Sequence, residues 1–175
     1  MLHLTDSFSE FVAPPVDEVF IALGTTLKVA GGREAFRAVD YEAVLAVARA
    51  GLAAGARHVG VVSAMGANSQ SAFFYNLVKG DMEAALSALG FDTVVIARPS
   101  LLAGDRGSLK QAQRLGEKLA LGAAQWLNPL LPANYRSISA EQVAHTLVDT
   151  LQSTGAGQHV LLSGELQNHR KIYKD

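Results

Sequence analysis

Four short apolar runs alternate with longer segments of helical periodicity along the chain. The runs span residues 18–23, 58–63, 93–97 and 159–163, and helical patterns cover about 34–54, 71–89, 108–126 and 139–152. A continuous apolar run between turn residues is typical of a strand that is buried on both faces. Strands that alternate with helices in this way predict an α/β protein, in which helices cover both faces of a parallel sheet.

Residues at the ends of the predicted helices support these boundaries. Gly55 and Gly90 each follow a helical pattern, and glycine readily takes the left-handed conformation that ends helices. Ser71 is predicted to cap the helix that follows it. Ser139 begins the pattern Ser-Ala-Glu-Gln, which is typical of a capping box at a helix N-terminus.

A tyrosine and a lysine on the second predicted helix have the spacing of an acid–base pair. Tyr75 and Lys79 are four residues apart, which brings both side chains to one helix face. A free tyrosine titrates near pH ~10, and a neighbouring cation lowers that pKa because it favours the phenolate. Ser63 ends a predicted strand, where its hydroxyl can bind a substrate oxygen. We therefore expect these three residues to exchange a proton with a carbonyl or an alcohol.

Composition and charge narrow the range of functions. The length of 175 residues suits one domain, and an apolar content of 49% is enough for a buried core. A net charge of −1 without a long basic run argues against nucleic acid as the main partner. The chain has no cysteine, and its five histidines lack the spacing of metal ligands, so no disulfide and no metal site is predicted.

The sequence also bears on the location of the protein. Its N-terminus, Met-Leu-His-Leu-Thr-Asp, lacks the charged start and apolar core of a secretory signal peptide. No apolar stretch reaches the ~20 residues that are needed to span a bilayer, so no membrane partner is predicted. Together with the absence of cysteine, these features predict a cytoplasmic location.

Placed on the predicted strands and helices, the motifs resemble the short-chain dehydrogenase/reductase superfamily. Ser63 ends one strand, Tyr75-x-x-x-Lys79 lies on the next helix, and Arg98-Pro99-Ser100 ends the following strand. More closely, the chain resembles the atypical branch that contains the Tat-interacting-protein oxidoreductases, whose bacterial relatives are often labelled nucleoside-diphosphate-sugar epimerases. The matching stretches are Leu23–Thr26, Phe36–Asp40, Val62–Ala67, Phe74–Gly80, Ala97–Leu102 and Tyr135–Ile138.

This resemblance implies a Rossmann-like fold and hydride transfer between a nicotinamide cofactor and a small carbonyl or alcohol substrate. Ser63 would hold the carbonyl oxygen and Tyr75 would exchange the proton. Lys79 would bind the nicotinamide ribose and lower the pKa of Tyr75. The implied cofactor is NADP or NAD, with NADPH slightly favoured. The other residues that the resemblance places at the cofactor are Gly24, Thr25, Thr26, Pro99, Ser100 and Leu101.

The chain departs from this family at its N-terminal end. Members begin with a strand, a glycine-rich G-x-x-G-x-x-G turn and a helix, whose N-terminal amides hold the cofactor pyrophosphate. Here the first predicted strand, at 18–23, resembles the family's fourth, and residues 1–17 read as a remnant of what precedes it. A fragment, a misassigned start and a naturally short form would each give this pattern. We therefore expect one Rossmann-like domain over 1–175, truncated at its N-terminus relative to the family.

The missing turn leaves two functions open. One is an NAD(P)-dependent oxidoreductase, and the other is a non-catalytic Rossmann-like module that binds a partner or senses redox state. The candidate residues also have structural interpretations, since Gly24, Thr25 and Thr26 would form a local turn and Ser63 would bond to nearby backbone. Without the family's first strand, the strand at 18–23 would have an exposed edge, so we expect self-association into a homo-oligomer.

Overall fold

A parallel sheet of four strands forms the centre of the protein. The computed structural model describes residues 14–100, 102–103, 132, 134 and 136–168. Its strands are β1 (Glu18–Ile21), β2 (His58–Val62), β3 (Thr93–Arg98), β4 (Leu102–Ala103), β5 (Ile138–Ser139) and β6 (Gly157–Leu162). The main sheet has the order β1-β2-β3-β6, and all its neighbours are parallel. β4 and β5 pair in a separate two-stranded parallel sheet.

Helices follow the strands of the main sheet. They are α1 (Leu27–Ala30), α2 (Arg33–Arg37), α3 (Val44–Ala53), α4 (Phe74–Ser87), α5 (Ala140–Ser153) and α6 (Ser163–Asn168). A π-helical stretch, Ala38–Ala43, joins α2 to α3 without a break. The helix predicted over about 34–54 is therefore present as one continuous helical segment, but its middle is wider than an α-helix.

The main sheet separates two layers of hydrophobic core, because alternate residues of its strands point to opposite faces. Val94 and Ile96 of β3 pack on one face with α3 and α4, whereas Val95 and Ala97 pack on the other with α5 and α6. β3 is buried on both faces, which explains its continuous apolar run. The predicted α/β architecture, with a parallel sheet between helical layers, is confirmed.

The helix ends agree with the sequence at most positions. Gly55 and Gly90 have φ angles of +104° and +96°, as expected for glycines that follow a helix. The hydroxyl of Ser139 accepts a hydrogen bond from Gln142 N at 3.1 Å and caps α5. The predicted cap at Ser71 is wrong, since α4 begins at Phe74. The Ser71 hydroxyl accepts from the amide of Phe73 instead, two residues along the chain.

Three short elements were not predicted, namely α1, α6 and the β4–β5 sheet. The helix predicted over 108–126 lies outside the described residues. Within the described ranges, none of the helices has the length and apolarity that crossing a membrane requires.

Candidate active site

Three loops meet at the carboxyl edge of the main sheet and carry most of the predicted site residues. Gly24–Thr26 follow β1, Ser63 follows β2, and Pro99 follows β3. Ser63 N donates to the carbonyl of Ala97 at 2.8 Å, and Met65 N donates to the carbonyl of Pro99 at 3.1 Å. These bonds extend the β2–β3 ladder beyond the strands. Ligands of open α/β sheets bind at this edge, outside the carboxyl ends of the strands.

A buried ion pair lies beside the first of these loops. Lys79 Nζ is 2.8 Å from Asp40 Oδ1, and the two residues are 3% and 0% exposed. The second carboxylate oxygen of Asp40 accepts a hydrogen bond from the backbone amide of Thr25 at 2.8 Å. Asp40 thus connects α4 to the loop that follows β1, and it does so from the π-helical stretch.

Tyr75 lies one helical turn before Lys79 and packs against the buried ring of Phe36. The centroids of the two rings are 5.5 Å apart, at an interplanar angle of 46°. Burial raises the pKa of Tyr75 above its ordinary value of 10.0, and the negative charge of Asp40 raises it further. The prediction that Lys79 lowers the pKa of Tyr75 is therefore wrong. The carboxylate that pairs with Lys79 offsets its charge, and burial disfavours the phenolate.

Ser63 supplies a buried hydroxyl at the same edge of the sheet. The residue is 6% exposed, and its Oγ has no hydrogen-bond partner within the described part of the chain. Buried hydroxyls are usually hydrogen-bonded, and one without a partner is a candidate for binding a ligand. The structural interpretation, in which this hydroxyl bonds to nearby backbone, is therefore not what the structure has.

The loop after β1 approaches the ion pair closely. A Cβ atom placed on Gly24 would lie 3.3 Å from Asp40 Oδ1 and 3.7 Å from Lys79 Nζ. Thr25 contributes its backbone amide to Asp40. The hydroxyl of Thr26 accepts from Val29 N at 3.2 Å and caps α1, so that this side chain has a local structural role. Thr26 thus has the local structural role, and the predicted roles of Gly24, Thr25 and Thr26 at a cofactor remain predictions.

The residues that follow β3 are held by neighbouring elements. Pro99 is buried. The hydroxyl of Ser100 donates to the carbonyl of Arg136 and lies 3.0 Å from the hydroxyl of Ser163, so it joins β3 to the start of α6. Leu101 lies outside the described residues. The predicted roles of Pro99, Ser100 and Leu101 at a cofactor remain predictions.

Arg98, the last residue of β3, faces α4 rather than the loops. Its guanidinium makes two hydrogen bonds to the buried carboxylate of Glu83, one of them 3.0 Å long. This hydrogen-bonded carboxylate raises the pKa of Arg98. Lys79 and Glu83 are four residues apart on α4, so one helix is tied at successive turns to Asp40 and to β3.

Asp40 was not identified as a site residue from the sequence. It is one carboxylate in a helical segment, and its contact with Lys79 joins residues that are far apart in the chain. Its signals were that it ends the matching stretch Phe36–Asp40 and that it falls on the buried side of that segment, together with Phe36 and Ala43. Among the residues that the structure describes, no three His, Cys, Asp or Glu side chains form a group that could hold a metal ion.

No family model matches the chain. Curated relatives do match, and among them is the mitochondrial protein FMP52 of Meyerozyma guilliermondii. It is 33% identical over 164 residues, which cover 90% of this chain and 69% of the relative. The chain belongs to the FMP52 family. FMP52 of Eremothecium gossypii is 44% identical over 102 residues, which are 58% of this chain and 46% of that protein.

A relative from outside the fungi also matches the chain. HTATIP2 of Rattus norvegicus is 35% identical over 153 residues, 87% of this chain and 61% of its own length. The resemblance to the Tat-interacting-protein branch, predicted from the motifs, is thereby confirmed. The chain spans about half the length of several FMP52 proteins that it matches. The predicted cytoplasmic location is wrong, since the FMP52 relatives are named as mitochondrial proteins.

Solved structures with the same fold are more distant in sequence. The protein RMD from Pseudomonas aeruginosa, solved with NADPH, has a TM-score of 0.64 at 17% identity, covering 94% of this chain and 66% of that one. An ADP-L-glycero-D-manno-heptose-6-epimerase from Helicobacter pylori has a TM-score of 0.59 at 16% identity, covering 90% of this chain and 56% of that one. At these identities the likeness shows the fold, which confirms the Rossmann-like architecture expected for the FMP52 family.

Proposed function

We propose that this protein is an NAD(P)-dependent oxidoreductase that reduces a small carbonyl compound with Tyr75 as proton donor. The observation that carries the proposal is the position of Lys79. Its ammonium is buried at the carboxyl edge of the sheet, 2.8 Å from Asp40, one turn from Tyr75 and beside the Gly24 loop. A buried lysine is uncommon unless it is paired, and a perturbed tyrosine next to one supports a functional site.

The residues at this edge fit the ribose and nicotinamide end of a dinucleotide. An ammonium has three N–H donors, and the ion pair of Lys79 with Asp40 leaves donors for ribose hydroxyls. Gly24 lets the backbone come close to the same position. A nicotinamide, when bound, supplies the hydride, which no protein side chain can. The structure of RMD, which was solved with NADPH, supports a dinucleotide of this class. Between NADPH and NADH we propose NADPH.

The proton chemistry follows from the protonation state of Tyr75. Because burial and Asp40 both raise its pKa, Tyr75 is a phenol at neutral pH. A phenol donates its proton to a carbonyl oxygen that is becoming an alkoxide, and the resulting phenolate lies near the cation of Lys79. The unpartnered hydroxyl of Ser63 would donate a hydrogen bond to the same oxygen. The site is therefore set for reduction of a carbonyl, and oxidation of an alcohol would require alkaline pH.

Calorimetric titration and a matched pair of tyrosine variants test the proposal. We expect NADPH to bind the wild-type protein, and we expect NADPH-dependent reduction of one or more members of a panel of aldehydes and ketones. Tyr75→Phe should abolish turnover and leave the cofactor affinity nearly unchanged. Tyr41→Phe is the control, because Tyr41 stacks under Arg37 through its ring and does not need its hydroxyl for that contact. Activity that survives in Tyr75→Phe would overturn the assignment.

A non-catalytic binding or regulatory module is the second candidate function. It is favoured by one observation. Within the described ranges, no G-x-x-G-x-x-G turn opens a helix, since Gly31 and Gly32 before α2 lack the rest of that pattern. The described residues would therefore bind the ribose end of a dinucleotide without a site for its pyrophosphate. Cofactor binding with no turnover on any carbonyl would support this alternative. If neither NADPH nor NADH binds at millimolar concentration, both the oxidoreductase and the redox sensor are excluded for this chain.

A further inference from the structure

We propose that Asp40 is a positioning residue that joins Lys79 and the Gly24–Thr26 loop into one unit that is assembled before any ligand binds. The proposal rests on the proposed function, because it concerns the same site. Unlike the proposed function, it requires only that this unit exists in the free protein, whether or not the protein is an enzyme.

The two oxygens of the Asp40 carboxylate contact different parts of the protein. Oδ1 lies 2.8 Å from the ammonium of Lys79, and Oδ2 accepts the amide of Thr25 at 2.8 Å. Each oxygen therefore holds a different element, one on α4 and one on the loop after β1. The first contact is an ion pair, and the second is a charge-assisted hydrogen bond, which is stronger than a hydrogen bond between neutral groups.

A contribution to the stability of the fold does not by itself explain the buried ion pair of Asp40 and Lys79. Two charges that are 0% and 3% exposed lose most of their hydration, and apolar residues of similar volume would often stabilise a fold as well or better. A long lysine side chain also loses much conformational freedom when it is held in one place. The arrangement is better explained by the need to fix an ammonium at a defined point, as a binding site requires.

The backbone around Asp40 has an unusual local structure on both sides. A side chain at Gly24 would press on Asp40 Oδ1 at 3.3 Å, so a glycine lets the loop lie against the ion pair. On the other side, Asp40 belongs to a π-helical stretch, a widened turn that is frequent at functional sites. Loop and helix thus both have unusual local structure where they meet this carboxylate.

Asp40 also affects Tyr75 through its charge. The charge of Asp40 raises the pKa of Tyr75, and Asp40 pairs with Lys79, one helical turn after Tyr75 on α4. The two arginines of α2 have other partners, because Arg33 lies over the ring of Phe74 and Arg37 pairs with Asp81. Removal of the Asp40 charge should therefore lower the pKa of Tyr75, an effect that a purely structural residue would not have.

The test compares Asp40→Asn with Asp81→Asn, an aspartate whose partner, Arg37, is half-exposed. In the free wild-type protein, NMR should show slow exchange for both the Thr25 amide and the Lys79 ammonium. Asp40→Asn keeps an oxygen for Thr25 but loses the charge, so the Lys79 signal should exchange rapidly while the Thr25 amide stays protected. NADPH affinity should fall roughly tenfold or more, because the ammonium is no longer fixed.

A spectroscopic readout separates positioning from general structure. With tyrosine labelled at Cζ, the resonance that is absent from Tyr75→Phe should titrate at lower pH in Asp40→Asn than in wild type, and Asp81→Asn should leave it unchanged. Rapid exchange of Lys79 or Thr25 in the free wild-type protein would overturn the proposal without any variant. If NADPH does not bind, the proposed function fails, and these ligand-free signals still decide the role of Asp40.

Discussion

The contact of Gly80 with the loop that follows Ser63 leads to a prediction that can be worked out atom by atom. A Cβ atom at Gly80 would lie 2.2 Å from both Asn68 C and Ser69 N, and 2.6 Å from Asn68 Cα. Ordinary contact begins at 3.4 Å, so Gly80→Ala requires the loop to retreat by about 1.2 Å, the difference between 3.4 and 2.2 Å. All three atoms belong to the backbone, so no side-chain rotation relieves the overlap.

The expected energy combines two opposing effects. Overpacking a tight contact costs about 3 kcal/mol at the upper end of the usual range. Alanine is the better residue inside a helix and returns about 1 kcal/mol. The net loss of unfolding free energy is then about 2 kcal/mol, which lowers the melting temperature of a protein of this size by about 4 to 8 °C. A loop displaced by ~1 Å should also lower any turnover strongly, because the loop starts at Ser63.

Urea unfolding of a small set of variants tests this reasoning. Gly51→Ala is the matched case, because its Cβ would overlap the side chain of Val19, at 2.2 Å from Cγ2. The added change Val19→Ala should therefore rescue Gly51→Ala, whereas Asn68→Ala should not rescue Gly80→Ala. Gly155→Ala, with open space around it, should be neutral or slightly stabilising. A Gly80→Ala protein as stable as wild type, or its rescue by Asn68→Ala, would refute the argument.

Three further predictions address protons, charges and helix ends. The rate of carbonyl reduction should be independent of pH around neutrality and should fall only above pH 10.0, as the raised pKa of Tyr75 is passed. The rate of the reverse oxidation should rise with pH. A decline in kcat/KM for reduction that begins well below pH 10.0 would contradict this prediction. Arg98→Met should destabilise the protein by about 3 kcal/mol, because it leaves the buried Glu83 carboxylate unpaired. Glu83→Gln should destabilise it less, because Arg98 is 27% exposed and can reach water. Equal losses of unfolding free energy for the two variants in urea would contradict this prediction. Ser139→Ala should lose about 1 kcal/mol through the cap of α5, with Ser153→Ala as the control at the other end of that helix.

The main sheet could be predicted because burial on both faces leaves a strong trace in the sequence. β2 and β3 consist almost entirely of small and β-branched residues, since each strand packs against helices above and below. The short elements left no such trace. α1 is a single turn that depends on the Thr26 cap, and β4 is two residues long and pairs with a strand more than thirty residues away. Periodicity needs length, and these elements have too little of it.

The site was predictable in its parts but not in its electrostatics. The i,i+4 spacing brings Tyr75 and Lys79 to one face, and the strand end fixes Ser63, which are local relationships. The pKa of Tyr75 is raised first by burial and then by the charge of Asp40, which lies on a different helix, and spacing along α4 contains no information about either. The same limit applies to location, because the absence of a secretory signal says nothing about mitochondria.

The expected self-association through the β1 edge remains a prediction. Sedimentation equilibrium would measure it, and a monomer at every concentration would contradict it.

The π-helical stretch at Ala38–Ala43 has a consequence for which changes of chain length the protein tolerates. A widened turn accommodates one residue more than an α-helix, so it takes up an extra residue while the residues on either side keep facing the core. Phe36 before it and Val44 after it are both buried, and Asp40 inside it reaches Lys79. Deleting one residue here would restore a regular α-helix with both flanks still facing the core, but it would remove the widened turn from which Asp40 reaches Lys79. Homologues that keep the ion pair should therefore also keep the extra residue in this stretch.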